Sequence, residues 1–277
     1  GGVVLWEVSS GDKAILEVEK FTSNTYAGET SYTGESFILL DVYPKTNGTV
    51  TVSYGGLTKT ITDTSGAENP NAQQVFFGTF NGVSDEVETP ASGTLTIKGD
   101  YRCFGVGSFI KDSKSTTACC GCVTAIVEFG KPNMIPDSAF TDCVNLTDVI
   151  IPSSVVRIGN DLNVLPTPED GSFSRCTSLK NVDIPNSVKE IGNYAFYNCI
   201  SLTEITIPSS VYVIRNYAFM DCSNLTRVTL LSTKPPTVYD KVFQGTSCSF
   251  AVPAGCGETY KAADIWSTYA DRIVELS

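Results

Sequence analysis

The sequence contains no histidine. The commonest general base and the usual imidazole metal ligand are therefore both absent. Positive charge is scarce as well: 19 Lys and Arg stand against 30 Asp and Glu, a formal net charge of -11. Phosphate recognition needs clustered bases, so a nucleic-acid partner is excluded. No apolar run is long enough to span a bilayer. No Gly-x-Ser-x-Gly turn, phosphate-binding loop or paired-carboxylate motif stands out, which leaves catalysis little support. The chain opens on Gly1-Gly2 and reads as a processed end.

What is present is a repeat. Phe173, Phe196 and Phe219 follow at intervals of 23 residues, and Cys176, Cys199 and Cys222 keep the same interval. Phe140 and Cys143 each lie 33 residues before their next equivalents. The extra length falls at about Asp161 to Asp170. Around each thiol the chain reads Phe-x-x-Cys-x-x-Leu-x-x-(Val/Ile)-x-(Ile/Leu), then usually Pro, then Ser-Val. The fullest copy runs Phe196, Cys199, Leu202, Ile205, Ile207, Pro208, Val211 and Ile214. A fixed period of this length means a solenoid, with insertions mapping to loops.

One unit can be read physically. The alternation around Ile205 predicts a short strand with one buried face. Pro208 ends it, because proline cannot donate to a continuing ladder. Val211 and Ile214 begin a second inward wall, and Ala218, Phe219 and Cys222 a third. No single coil buries these groups alone, so neighbours must stack as a long parallel sheet. Degenerate copies extend the reading: Leu95-x-Ile97 to Phe109, then Val123, Ile126 and Ile135, and beyond the clear units Val238, Phe243 and Phe250-x-Val252-Pro253. These place roughly six coils between about residues 92 and 253.

Residues 123 to 253 closely resemble bacterial leucine-rich-repeat proteins of the BspA-like kind. The resemblance implies a leucine-rich-repeat solenoid, a secreted or cell-surface location, and binding through the solenoid face rather than enzymatic activity. It implies no individual ligand residue and no cofactor.

Outside the repeat, short alternating runs up to about residue 65 predict a small antiparallel β domain. Tyr54-Gly55-Gly56-Leu57 reads as a tight hairpin, and GTVTVSYGGLTKTIT resembles bacterial immunoglobulin-like modules. Asp63 to Asn71 reads as the linker, giving domains at 1–68 and 69–277. Residues 72–91 are expected to form strands capping the first coil. Tyr260, Trp266, Tyr269 and Ile273 fit one face of a helix that caps the last coil. The fold class is thus mainly β, with a short C-terminal helical cap.

The ladder of Cys143, Cys176, Cys199 and Cys222, with Phe140, Phe173, Phe196 and Phe219, is expected to be buried core, its thiols free. Cys119-Cys120-Gly121-Cys122, with Cys103, stays open between disulfides, free thiols and a metal site, although its spacing matches no usual zinc pattern. Cys248 and Cys256 are a second candidate pair. Asp161, Glu169 and Asp170 read as a solvated loop rather than a calcium site, which needs tighter alternate spacing. Asn47-Gly-Thr49, Asn145-Leu-Thr147 and Asn224-Leu-Thr226 match the glycosylation acceptor pattern, the latter two being explained by the repeat itself.

The strand alternation leaves two outward rows as the candidate binding face: Asp148, Asn181, Glu204, Arg227 and Ile150, Asp183, Thr206, Thr229. Protein or glycan ligands, of the host or of bacterial surfaces, suit such a face. The competing expectations are a spacer domain of a larger surface assembly with no ligand of its own, and a hydrolase using carboxylates. The chain is expected to be a monomer with no membrane span and no metal.

Overall fold

The computed structural model describes residues 13–22, 36–67, 73–80, 83–106, 109–111, 114–116, 123–128, 134–135, 137–159 and 171–277. The chain divides into two compact units, Gly1–Pro132 and Asn133–Ser277.

The first unit is antiparallel. One sheet contains β1 (Lys13–Glu19), β4 (Thr49–Tyr54), β5 (Leu57–Thr62), β8 (Ser92–Gly99) and β12 (Val123–Glu128), in the order β12-β1-β8-β4-β5. A second contains β2 (Phe21–Thr22), β3 (Ser36–Pro44), β6 (Gln73–Phe80) and β7 (Val83–Ser84), with β9 (Tyr101–Val106) also paired to β3. A short pair joins β10 (Phe109–Lys111) to β11 (Lys114–Thr116). The period-two pattern of β4 buries Val50, Val52 and Tyr54. The hairpin forms where the sequence places it, because Gly55 and Gly56 adopt φ of 57° and 85°, the left-handed values a two-residue turn of this kind demands.

These pairings move the expected boundary from 68/69 to 132/133. Leu95 and Ile97 lie in β8 between β1 and β4, opposite Leu16 and Ala14. Val123 and Ile126 pair with Val18 and Leu16. Strands β8, β9 and β12 are therefore antiparallel strands of the first unit, not degenerate coils, and residues 73–80 pair with β3. Alternation alone does not distinguish the two fates, since both kinds of strand repeat every two residues. The expected linker also begins inside this unit: Asp63 is 4% exposed and its carboxylate accepts from the Asn47 amide at 2.8 Å and from the Ser65 hydroxyl at 2.6 Å.

The second unit is the solenoid. Its second wall is a parallel sheet of β13 (Met134–Ile135), β15 (Arg157–Ile158), β17 (Glu190–Ile191), β19 (Val213–Ile214) and β21 (Thr237–Val238). Its first wall holds β14 (Asp148–Ile150), β16 (Asn181–Asp183), β18 (Glu204–Ile207), β20 (Arg227–Leu230), β22 (Ser249–Val252) and β23 (Ile273–Glu275). The third wall is a stack of turns. Phe173, Phe196 and Phe219 donate their amides to Ala195, Ala218 and Val242 of the next coil at 2.8, 2.8 and 2.9 Å.

Inside this frame Phe140, Phe173, Phe196, Phe219 and Phe243 form a continuous ladder. Successive rings lie 5.3–5.5 Å apart and within 10° of parallel. Parallel stacking of identical coils superposes identical side chains, which forces this near-parallel geometry. Cys143, Cys176, Cys199 and Cys222 are fully buried free thiols beside it. Each of the last three donates to a phenylalanine carbonyl of an earlier coil: Cys176 to Phe140 at 3.1 Å, Cys199 to Phe173 at 3.3 Å, Cys222 to Phe196 at 3.0 Å.

The last coil carries the expected helical cap, but not as one helix. The single helix is replaced by α1 (Gly257–Lys261), a 3-10 helix over Ile265–Arg272, and β23. Ile273 pairs in parallel with Phe250 and so continues the first wall. The polar tips of the cap aromatics fix this path: Tyr260 donates to the Ser232 carbonyl at 2.8 Å and Trp266 to that of Pro236 at 2.7 Å. Cys248 and Cys256 are both free thiols, so this candidate pair does not form. Cys119, Cys120 and Cys122, with the insertion bearing Asp161, Glu169 and Asp170, lie outside the described residues.

Candidate binding face of the solenoid

Register on the first wall aligns the two rows anticipated from the alternation. Asp148 faces Asn181 and Ile150 faces Asp183 between β14 and β16. Glu204 faces Arg227 and Thr206 faces Thr229 between β18 and β20. Seven of the eight side chains are exposed and Thr229 is half-buried, while Val149, Ile205 and Val228 between them are buried. Asn181, Asp183, Glu204, Thr206 and Thr229 line a concavity of about 520 Å³, together with Pro185, Pro208 and their neighbours.

Charge is handled unequally around the coil. On the second wall Glu190, only 8% exposed, accepts from Arg157 at 3.0 Å, from Tyr212 at 3.0 Å and from Arg215 at 2.9 Å. Burial raises its carboxyl, but the hydrogen bonds from Arg215 and Tyr212 and the charges of both arginines outweigh that and hold it below the ordinary range. In the third wall Arg175 grips Asp142 through both carboxylate oxygens, at 2.5 and 2.6 Å. On the first wall Asp148 accepts from Asn181 at 2.6 Å, and side-chain bonds from Thr147 and Asn181 lower its carboxyl. By contrast, Asp183, Glu204 and Arg227 make no ion pair among the described residues, although Glu204 and Arg227 are register neighbours.

The Glu190 cluster escapes a reading of the sequence. Its partners stand 33 residues before it, across the long coil, and 25 after it, two residues past the equivalent position of the next coil. Aligning the coils by their phenylalanines places Arg157 level with Glu190, and Arg215 two residues beyond the Val213 that stands level with them.

The first wall also contains a break. Strands β14 and β16 are bonded, and β18, β20, β22 and β23 are bonded, but β16 and β18 belong to different sheets. The amide-to-carbonyl bonds Lys180 to Thr147 and Thr226 to Thr203, each 2.8 Å, have no counterpart from Thr203 to Lys180. The same two coils remain joined elsewhere, through Glu190 opposite Val213 and through the Phe173 to Ala195 bond. Val182 is half-buried where Val149 and Ile205 are buried.

Among the described residues no group of three or more Cys, Asp or Glu is placed to hold a metal ion, and no helix is long and apolar enough to cross a membrane.

Comparison with known proteins bears on this unit. No curated protein matches the chain. A leucine-rich-repeat protein of T. pallidum is similar at 23% identity over 53% of this chain and 68% of its own, with a TM-score of 0.37. A leucine rich cell surface protein of Faecalibacterium prausnitzii A2-165 is similar at 24% identity over 53% of this chain, with a TM-score of 0.38, and this chain spans only 33% of it. A leucine-rich-repeat protein of Bacteroides ovatus is similar at 17% identity over 54% of this chain and 57% of its own, with a TM-score of 0.24. The family match falls where the coils do: residues 133–254 match the BspA type leucine rich repeat region in six copies.

Proposed function

We propose that this is a secreted or cell-surface protein that binds a protein or glycan ligand through the first wall of its solenoid. The observation that carries this reading is the unequal use of charge. Glu190 and Asp142 are matched within the protein, whereas Asp183 and Glu204 line the concavity, and Arg227 stands opposite Glu204 on the next strand, each without an ion-pair partner among the described residues. Unmatched charges on a concave face are positioned to answer charges and hydroxyls of another molecule, and they favour specificity and rate of encounter over raw affinity. The wall is also extended and repetitive, which suits a macromolecular partner.

A glycan array and a panel of host and bacterial surface proteins, probed with the whole chain, tests the proposal. Reproducible, saturable binding that falls on simultaneous reversal of Glu204→Lys and Arg227→Glu, with the melting temperature unchanged, supports it. Binding that survives the double reversal removes this face. Absence of saturable binding across both panels points to the spacer role.

A further inference from the structure

The break between β16 and β18 gives the proposed face a chemical preference. In a strand the N–H and C=O of one residue point to the same side and alternate from residue to residue. On β16 the Asn181 amide and the Asp183 carbonyl are both engaged toward β14, by Thr147 and Ile151 at 3.3 and 3.1 Å. Val182 therefore directs its backbone groups toward β18. On β18 the Thr203 carbonyl accepts from Thr226 at 2.8 Å and the Ile207 carbonyl from Leu231 at 3.0 Å, both toward β20. Glu204 and Thr206 accordingly direct theirs toward β16. Across this seam none of the three makes a backbone bond to the other strand.

The seam is thus edged by the amides and the carbonyl oxygens of Val182, Glu204 and Thr206. It is flanked by the carboxylates of Asp183 and Glu204, with the Thr206 hydroxyl at the same level, and all of these residues line the one concavity. Acceptors outnumber donors, and the charge at its rim is negative. A guanidinium or ammonium group presents only donors, three or five of them, and is the complement of such a set. We infer that the seam between β16 and β18 receives a lysine or arginine side chain of a polypeptide partner. This rests on the first wall being the binding face and adds the chemistry of its occupant.

The probe is a fluorescein-labelled peptide of repeated Arg-Gly-Ser, with the Gln-Gly-Ser peptide as its neutral counterpart, titrated into the full chain by fluorescence anisotropy. The expected result is saturable binding of the arginine peptide alone. It weakens roughly tenfold or more in the double variant Asp183→Asn, Glu204→Gln, since each lost charge-assisted bond is worth on the order of one decade in affinity. It is unchanged in Glu258→Gln, Asp271→Asn, which removes the same charge from the exposed cap. Hydrogen exchange at the amides of Val182, Glu204 and Thr206 slows when the arginine peptide is added. Equal loss in both double variants would reduce the effect to net-charge attraction and overturn the inference, as would failure of the arginine peptide to bind. If a glycan or neutral protein from the screening panels slows exchange on the first wall while the arginine peptide does not bind, the basic occupant is refuted and the binding face stands. Protection confined to other walls removes both.

Discussion

The Cys222 thiol donates to the carbonyl of Phe196, one coil earlier, at 3.0 Å. Burial pushes this thiol up to about 12 from an ordinary 9.0, a hydrogen bond from the Cys199 backbone opposing the shift and the neighbouring Cys248 and Asp221 adding to it. Cys199 is raised in the same direction, again first by burial. Cys199 and Cys222 are thereby both packed apolar groups and hydrogen-bond donors, and inert nucleophiles.

Alkylation of the native, unreduced protein should therefore miss Cys143, Cys176, Cys199 and Cys222 and modify all four after denaturation. Mass spectrometry reads the outcome, and any disulfide joining two of them contradicts the ladder described here. A pH dependence accompanies this. Because the folded thiol titrates above the unfolded one, its stabilising effect is complete below about pH 9 and is lost as the pH rises toward about 12. Denaturant titrations across that window should show a shallower decline for Cys222→Ala than for the parent protein.

Glu190 has the opposite sign. Its folded pKa lies below the ordinary 4.5, so its contribution is present above that value and fades as the pH falls through the folded one. Glu190→Gln should cost about 1–3 kcal/mol near neutral pH, the range for a charged hydrogen-bonded group, reduced by the partial exposure of both arginines. The variant should also flatten the acid limb of the stability profile. A Glu190→Gln protein as acid-sensitive as the parent would show that the network contributes nothing.

Truncating the phenylalanine ladder should be felt most in its middle. Phe196 is fully buried and stacks on both Phe173 and Phe219, at 5.4 and 5.3 Å. Phe196→Ala is expected to cost about 3–5 kcal/mol through lost burial and the cavity left behind. Chemical denaturation measures it, and a loss under about 1 kcal/mol would mean that the coils collapse onto the gap.

Each turn of the third wall contains left-handed residues, among them Arg175, Asn198 and Asp221 at φ of 58°, 55° and 60°, with Gly245 next in the series at 77°. At Gly245 a Cβ would stand 2.3 Å from Asp221 Oδ1, so Gly245→Ala meets both a contact and a strained backbone. The expected loss is about 1–3 kcal/mol. Lys241, exposed at φ 54°, is the converse case, and Lys241→Gly should raise the melting temperature by relieving the left-handed strain. If Gly245→Ala melts with the parent protein, neither the Asp221 contact nor the left-handed backbone constrains that turn.

The repeat itself was legible in one dimension. A fixed interval between Phe173, Phe196 and Phe219 means that whatever one coil does with its phenylalanine the next must do beside it, and the same logic fixed the buried thiols and the two outward rows. The hairpin at Gly55-Gly56 was legible for a local reason, since few residues other than glycine tolerate two successive left-handed conformations. What remained hidden was which strand pairs with which. Leu95-x-Ile97 alternates like Ile205-x-Ile207, yet it pairs antiparallel with β1, some 80 residues away in sequence and without any periodic mark. The Glu190 network and the cap strand at Ile273 depend on partners of the same remote kind. The open seam is the purest case: Val182 is as good a strand residue as Val149, and only the tertiary ladder decides that its amide and carbonyl bond to no neighbouring strand. Side-chain periodicity reports which face of a strand is buried, because burial follows local alternation. Hydrogen-bond partnership is set by what arrives at the strand's edge, and that is decided only when the whole chain has folded.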